Sequence, residues 1–368
     1  MASKFKVRKK LCVFVALAII GLILFTKDFS PNFESAMEDH IKERPVLEKP
    51  QEFVLGVVAC GERTEEALVM IKSALVLKST MLLKLLVVTE EPFKKFFEEK
   101  LTPWVILMND TFTFEIHLVS FPSTHEKEWR HMFKLCASQR LFFPDLLPHT
   151  DSLLYVDTDT LFLAPLTNIW KHFSLMNSTQ LAALAPEGED ENVGWYNRFA
   201  QHPYPGRLGL NSGVMLMNLT RMRTMGWTKY LAPIYEEFKH KLTWGDQDII
   251  NIIFSYHPEC LYMYPCSYNF RSDHCIYTSI CLDAEENGIN VMHGSRGAFQ
   301  IIKKQPAFMA VYKAFKEYQL GTDPFQNLML PMQNNLDAAD VSSTNCGKIR
   351  HVYLKNLATF FQQKFRVR

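Results

Sequence analysis

Leu153-Leu154-Tyr155-Val156-Asp157-Thr158-Asp159-Thr160-Leu161-Phe162-Leu163 joins an apolar run, two carboxylates one residue apart and a second apolar run. A buried strand carries such runs, and side chains emerge into a crevice at its end. At a strand end the i, i+2 spacing turns both carboxylates to the same side. Like charges held that close repel each other and favour protonation unless a cation lies between them. Hard divalent ions such as Mg²⁺ and Mn²⁺ take oxygen ligands of this kind and also hold substrate phosphates. The stretch therefore points to a metal–diphosphate site, against the plainer reading of a turn or a solvated strand end.

Strands and helices alternate on either side of it. Residues 53–59 read as a buried strand ending at Cys60-Gly61, and Ala67, Met70, Ile71, Ala74 and Leu75 recur at helical spacing. Residues 82–88 form the next strand, which makes a β-α-β unit and a sheet that is at least partly parallel. The first turn of such a unit is a natural nucleotide site, with Gly61 permitting close approach. Residues 114–121 and 181–185 read as further strands. Residues 132–147 read as a helix with Lys134 and Arg140 at polar positions. The class is α/β.

Three later stretches bear on chemistry. Asn211-Ser212-Gly213 is a polar lip on the strand 214–217, and Trp244-Gly245-Asp246-Gln247-Asp248 opens a helix to about residue 254, with Asp246 placed to cap it. Val291-Met292-His293-Gly294-Ser295-Arg296-Gly297 sets a metal-ligating imidazole beside a cation flanked by glycines. Between them, residues 194–206 are rich in aromatics and chain breakers, as binding loops often are. Pro306 starts a helix with Phe308, Val311, Tyr312 and Phe315 on its apolar side. From Val341 onward there are six Lys or Arg and no acid, the pattern of a solvated helical face.

The chain has 368 residues, 48% hydrophobic and 21% charged, which are globular values. A net charge of +1 gives no reason to expect nucleic acid as a partner. Aromatics at 13% suit carbohydrate stacking, although large cores use them too. Lys4, Lys6, Arg8, Lys9 and Lys10 precede an apolar run with no small-x-small cleavage pattern after it. The expected organisation is a cytosolic tail (residues 1–10), a signal-anchor (11–26), a lumenal stem containing Pro31, Pro45 and Pro50 (27–51) and a catalytic domain (52–368). This implies a type II protein of the ER or Golgi membrane. Asn109, Asn177 and Asn218 head N-glycosylation sequons. Seven cysteines follow the anchor, so an oxidising lumen pairs some and leaves one over. Cys266, Cys275 and Cys281 suggest a local staple.

Taken in order, Arg140, Asp157-Thr158-Asp159, Asn211-Ser212-Gly213, Trp244-Gly245-Asp246-Gln247-Asp248 and His293 resemble the family-eight retaining glycosyltransferases of GT-A fold. Residues 57–63, 136–141, 151–159, 194–200 and 273–277 carry a narrower resemblance, to the glucoside xylosyltransferases, over nearly all of 53–360. That resemblance implies a Rossmann-like, mixed but mostly parallel sheet flanked by helices. It implies transfer of xylose from UDP-xylose in α-1,3 linkage to O-linked glucose on EGF-like repeats of Notch-type proteins. By position, Asp157, Asp159 and His293 hold Mn²⁺, with Mg²⁺ the alternative, on the UDP diphosphate. Arg140 and Thr158 lie at the donor, Cys60 and Gly61 near the uridine, and Asn211, Gly213, Asp246 and Gln247 along the sugar pocket. The family's Lys-Pro pair after a His-x-x-Gly turn is absent here, which leaves Arg296, Lys303 or Lys304 for the phosphates. Retention admits two routes: double displacement with Asp246 as nucleophile, or front-face attack in which the leaving phosphate takes the acceptor's proton. Within the resemblance, another GT-A retaining glycosyltransferase with a glucosyl or galactosyl donor is the alternative, and two other classes compete. Asp-Thr-Asp-Thr also begins a haloacid-dehalogenase-type signature, which Leu161 breaks, and a protein that only binds glycans would not need the metal triad.

Overall fold

The computed structural model describes residues 52–366 except 79–80, 110 and 302–304. The tail, anchor and stem, together with Lys303 and Lys304, lie outside the described residues. Among the described residues, no helix is long and apolar enough to cross a membrane.

Among the described residues, nine strands form two sheets: β1 (Glu52–Val58), β2 (Leu82–Thr89), β3 (Phe112–Leu118), β4 (Ser152–Val156), β5 (Thr160–Phe162), β6 (Ala182–Pro186), β7 (Leu210–Asn218), β8 (Leu261–Met263) and β9 (Val291–His293). Seven make the main sheet in the order β3-β2-β1-β4-β7-β6-β8, and β5 pairs with β9 alone. The β1–β2, β2–β3, β1–β4 and β6–β8 ladders are parallel, while β7 runs antiparallel to both β4 and β6. The expected mixed, mostly parallel sheet flanked by helices is what the chain forms. β4 and β7 lie in the middle of this sheet and are buried almost throughout, which is why they read as apolar runs without alternation.

The helix Thr64–Val76 makes the first crossover, with nearly every side chain buried. Its Ser73 Oγ accepts the Phe162 N–H at 2.9 Å and donates to Met70 O, which ties the helix to β5. The helix Asp246–Tyr256 packs along β7. From it, the buried Asn251 accepts the Leu210 N–H at 2.7 Å and donates to the Leu210 and Gln247 carbonyls at 3.0 and 2.9 Å. Pro306–Glu317 is helical as expected, with Phe308, Val311 and Phe315 buried.

The segment 132–147 departs from the reading as one helix. It is a turn with Phe133 and Cys136 at φ +61°, followed by a 3₁₀ stretch (Ala137–Phe142) and one α-turn (Phe143–Leu146). A disulfide from Cys136 to Cys60 holds this irregular path against the end of β1, and two left-handed residues cannot continue a helix. The three-cysteine staple also resolves differently. Cys266 bonds Cys281 inside the cluster, Cys275 reaches out to Cys346, and Cys260 is the free thiol among the described residues. Of the sequons, Asn109 and Asn177 are exposed, whereas Asn218 caps a helix by accepting the Arg221 N–H at 2.8 Å.

Asn251→Ala strands a buried donor and acceptor at the start of β7. The expected loss is about 2 kcal/mol of unfolding free energy, to be read from a denaturant midpoint at unchanged slope.

Candidate active site

β4 ends at Val156, and the turn before β5 carries Asp157, Thr158 and Asp159. Alternation survives through this turn. Asp157 and Asp159 face one way, while the Thr158 hydroxyl turns back to Glu66 Oε2 at 3.1 Å. The antiparallel β5–β9 ladder then pairs Thr160 with His293, and the Gly294 N–H donates to Asp159 O at 2.6 Å. This pairing delivers His293 to the two acids: its Nε2 lies 3.3 Å from Asp159 Oδ1 and 3.7 Å from Asp157 Oδ2. One ligand atom from each of the three residues falls within 4.8 Å of the others.

The oxygens of Asp157 are divided between two tasks. Oδ1 accepts from Tyr155 Oη at 2.6 Å and from Arg140 Nη1 at 3.1 Å, while Oδ2 is turned toward His293. Burial disfavours the charge of Asp159, but His293 outweighs it and holds the carboxyl well below the usual carboxylate range, with Lys134 assisting.

His293 is itself held. Its Nδ1 donates to Asn269 Oδ1 at 2.9 Å, which leaves the Nε2 lone pair for a metal. The Asn269 amide donates to Asn211 Oδ1 at 2.8 Å, and the Asn211 amide donates to Glu187 Oε2 at 2.7 Å. Arg271 closes the chain with an ion pair to Glu187 at 2.7 Å. Gly213 lies against the imidazole, and a Cβ there would fall inside the ring's van der Waals envelope. The donor set therefore fits a divalent ion: two carboxylates, one imidazole and a hydrogen-bonded shell behind them.

Arg140 is buried under this floor. It pairs with Asp246 through Nε, donates through Nη1 to Ser212 O at 2.7 Å, and lies 4.7 Å over the Tyr155 ring. Burial works against its charge, yet Asp157 and Asp246 together raise its pKa above the ordinary guanidinium value.

The cleft above the triad holds about 660 Å³ of open space. Of the residues expected at the site, Arg140, Asp157, Asp159, Asn211, Gln247, His293 and Arg296 line it. Several others do not. Asp246 is completely buried, with Oδ2 on Arg140 and Oδ1 without a partner among the described residues, so it neither caps its helix nor reaches the cleft. The helix start has no side-chain cap, and Asp248 in its first turn reaches back to accept the Trp244 N–H at 2.7 Å. Cys60 is half of a disulfide, and the Gly61 N–H donates to Glu90 at 3.2 Å. Thr158 serves Glu66, and Gly213 acts by leaving room for His293.

The sequence reading passed over Asn269, Glu187 and Phe133, whereas the other aromatic walls, Trp195, Tyr196 and Trp244, fall in stretches it had singled out. Glu187 stands just past the end of β6 and was open to the same strand-end argument as Asp157. No local pattern marks Asn269. Lys134, expected at a polar position of a helix, lies on the left-handed turn and lines the cleft with Arg296.

Residues 51–277 match the model of glycosyl transferase family 8. The chain belongs to that family. It is 44% identical over 344 residues to human glucoside xylosyltransferase 1, a match covering 90% of this chain and 76% of that protein. It is 46% identical over 314 residues to mouse glucoside xylosyltransferase 2, covering 82% and 70%. These relatives set this family 8 enzyme among the glucoside xylosyltransferases. Its fold is shared with crystal structures of mouse xyloside xylosyltransferase 1 (17% identity, TM-score 0.50, 67% of this chain and 98% of that one) and of the galactosyltransferase LgtC with donor and acceptor sugar analogs (15%, 0.53, 74% and 99%).

Two substitutions test the metal floor by direct Mn²⁺ binding. Asn269→Ala frees the imidazole to rotate and should weaken the ion about 10- to 100-fold. Gly213→Ala displaces the ring itself and should weaken it at least as much. Unchanged affinity in both would remove His293 from the ligand set.

Proposed function

We propose that the chain transfers xylose from UDP-xylose, with retention and in α-1,3 linkage, to O-linked glucose on EGF-like repeats of Notch-type proteins. One observation carries the reading: Asp157, Asp159 and His293 meet on the floor of a cleft walled by Asn211 and Gln247. The likeness to enzymes named for xylosyl transfer to glucosides selects the sugar.

Asp157, Asp159 and His293 would hold a divalent ion, which would supply positive charge against the departing UDP diphosphate. Two carboxylates with an imidazole nitrogen suit Mn²⁺ better than Mg²⁺, which prefers an all-oxygen shell. Lys134 and Arg296 line the same cleft and are the described cations placed to meet phosphate. Arg140 stays beneath, fixing Asp157 and the Ser212 carbonyl.

Gln247 accepts from the Ser212 N–H at 3.1 Å, and its amide nitrogen stands 3.4 Å from Glu187. Its side chain is thereby fixed along the wall beside Asn211. Asp246 is sealed behind Arg140, which speaks against its service as a nucleophile. Glu187, the next carboxylate along that wall, is occupied by Arg271 and Asn211. The arrangement favours front-face transfer, in which the leaving phosphate oxygen takes the acceptor proton while the anomeric carbon–oxygen bond breaks.

A lumenal site in the ER or Golgi, behind a single-pass anchor, completes the proposal. Three disulfides among the described residues and the exposed Asn109 and Asn177 sequons support it.

Radiolabelled UDP-xylose, Mn²⁺ and a glucosylated EGF-like repeat should give labelled product, with UDP-glucose and UDP-galactose giving far less. Asp159→Ala should reduce transfer by roughly a thousandfold even in excess Mn²⁺, because a metal supplies several kcal/mol to such a transition state. Near-normal turnover by that variant would sink the metal role. Asp246→Asn should instead mainly destabilise the fold, since it removes the buried partner of Arg140, at a cost of about 3 kcal/mol. Trapping of a covalent xylosyl–Asp246 adduct by mass spectrometry would reverse this assignment.

A further inference from the structure

A second cavity, with about 630 Å³ of open space, adjoins the donor cleft and shares Trp195, Asp273, Ser295 and Arg296 with it as walls. Its outer wall is the loop that follows Ser272. This loop is fastened to an unusual degree. The Cys266–Cys281 disulfide closes its base, and Cys275–Cys346 pins its middle to the C-terminal helices. Asn345 Nδ2 donates to Ile276 O at 3.0 Å, and the Ile280 N–H donates to His274 O at 3.0 Å. The backbone is thus fixed, yet its tip does not enter the core: Tyr277 is 68% exposed and Ile276 38%. Across the shared wall Trp195 is 49% exposed and stacks on Phe199 at 5.4 Å.

Apolar side chains held out on a rigid loop have already met the ordering cost of binding, which is the condition for a preorganised contact surface. Trp, Tyr and Arg together are the residues that dominate protein–protein hot spots. The surface is also mixed: the Arg296–Asp273 ion pair stands beside Ile276 and Tyr277, so a backbone finds polar partners there. An alkyl chain would cover those groups without pairing them. The acceptor glucose must enter the donor cleft to meet the xylose, and the adjoining cavity, which shares walls with that cleft, is within reach of whatever carries it.

We propose that Ile276 and Tyr277, with Trp195 opposite, bind the polypeptide that bears the acceptor glucose, making the enzyme a reader of the protein as well as of the sugar. This rests on the protein-acceptor reading given above. The test compares the full chain with its Ile276→Ser/Tyr277→Ala double variant on three acceptors with UDP-xylose and Mn²⁺. These are a folded EGF-like repeat carrying O-linked glucose, 4-nitrophenyl β-glucoside and octyl β-glucoside. The expected result is a KM for the repeat raised about tenfold or more, at unchanged kcat, with both small glucosides used as before. Their unchanged use also shows that the variant is folded. An unchanged KM for the repeat overturns the proposal, as does an equal loss on all three acceptors. A loss shared by the repeat and the octyl glucoside overturns it in favour of a general apolar, lipid-type aglycone surface. Failure of the acceptor reading is visible separately, as a wild-type enzyme that uses the small glucosides but leaves the repeat unmodified.

Discussion

The site depends on a three-residue ladder. β5 and β9 exchange only the pairs Thr160–His293, Leu161–Met292 and Phe162–Val291, yet they bring an imidazole across more than a hundred residues of chain to two carboxylates. A ladder this short is weak alone. It is kept in register by neighbours on both sides: Ser73 holds the Phe162 amide, and Phe270 accepts the His293 N–H at 2.8 Å. A slip of one residue would turn His293 to the opposite face and Met292 toward the acids. The register is therefore as much a part of the site as the ligands are.

Charge sets the second constraint. Asp157, Asp159 and Asp246 all lie at this floor, and different partners serve them. Arg140 satisfies Asp246 and one oxygen of Asp157. The other Asp157 oxygen and Asp159 remain turned to His293 and to the cleft. The two acids thus keep oxygens clear of Arg140 at the point where a divalent ion would sit. The file of hydrogen bonds from Arg271 through Glu187, Asn211 and Asn269 to His293 orients the ring without adding a competing charge at the ligand atoms.

The disulfides are buried in the core, and each ties down a segment that borders the opening. Cys60–Cys136 joins the turn after β1 to the irregular segment that carries Phe133 and Lys134 into the cleft. Cys266–Cys281 and Cys275–Cys346 fix the loop on the other side. Covalent closure supplies the order there.

Periodicity and end signals were enough to determine the α/β class, the β-α-β start with its helical spacing from Ala67 to Leu75, and the helix from Pro306, and residue type singled out the paired acids and His293. These features follow from local chemistry: apolar runs, helix-starting residues and residue types able to bind metal. The tertiary structure alone decided the rest. It sealed Asp246 behind Arg140, gave Gly213 its role against the imidazole, and set Asn269 behind His293. It also bent residues 132–147 out of a helix and sent Cys275 to Cys346 instead of to its neighbours. Each of these depends on which distant segment occupies the adjacent space, and a burial or a partner formed across the fold leaves no period in the sequence.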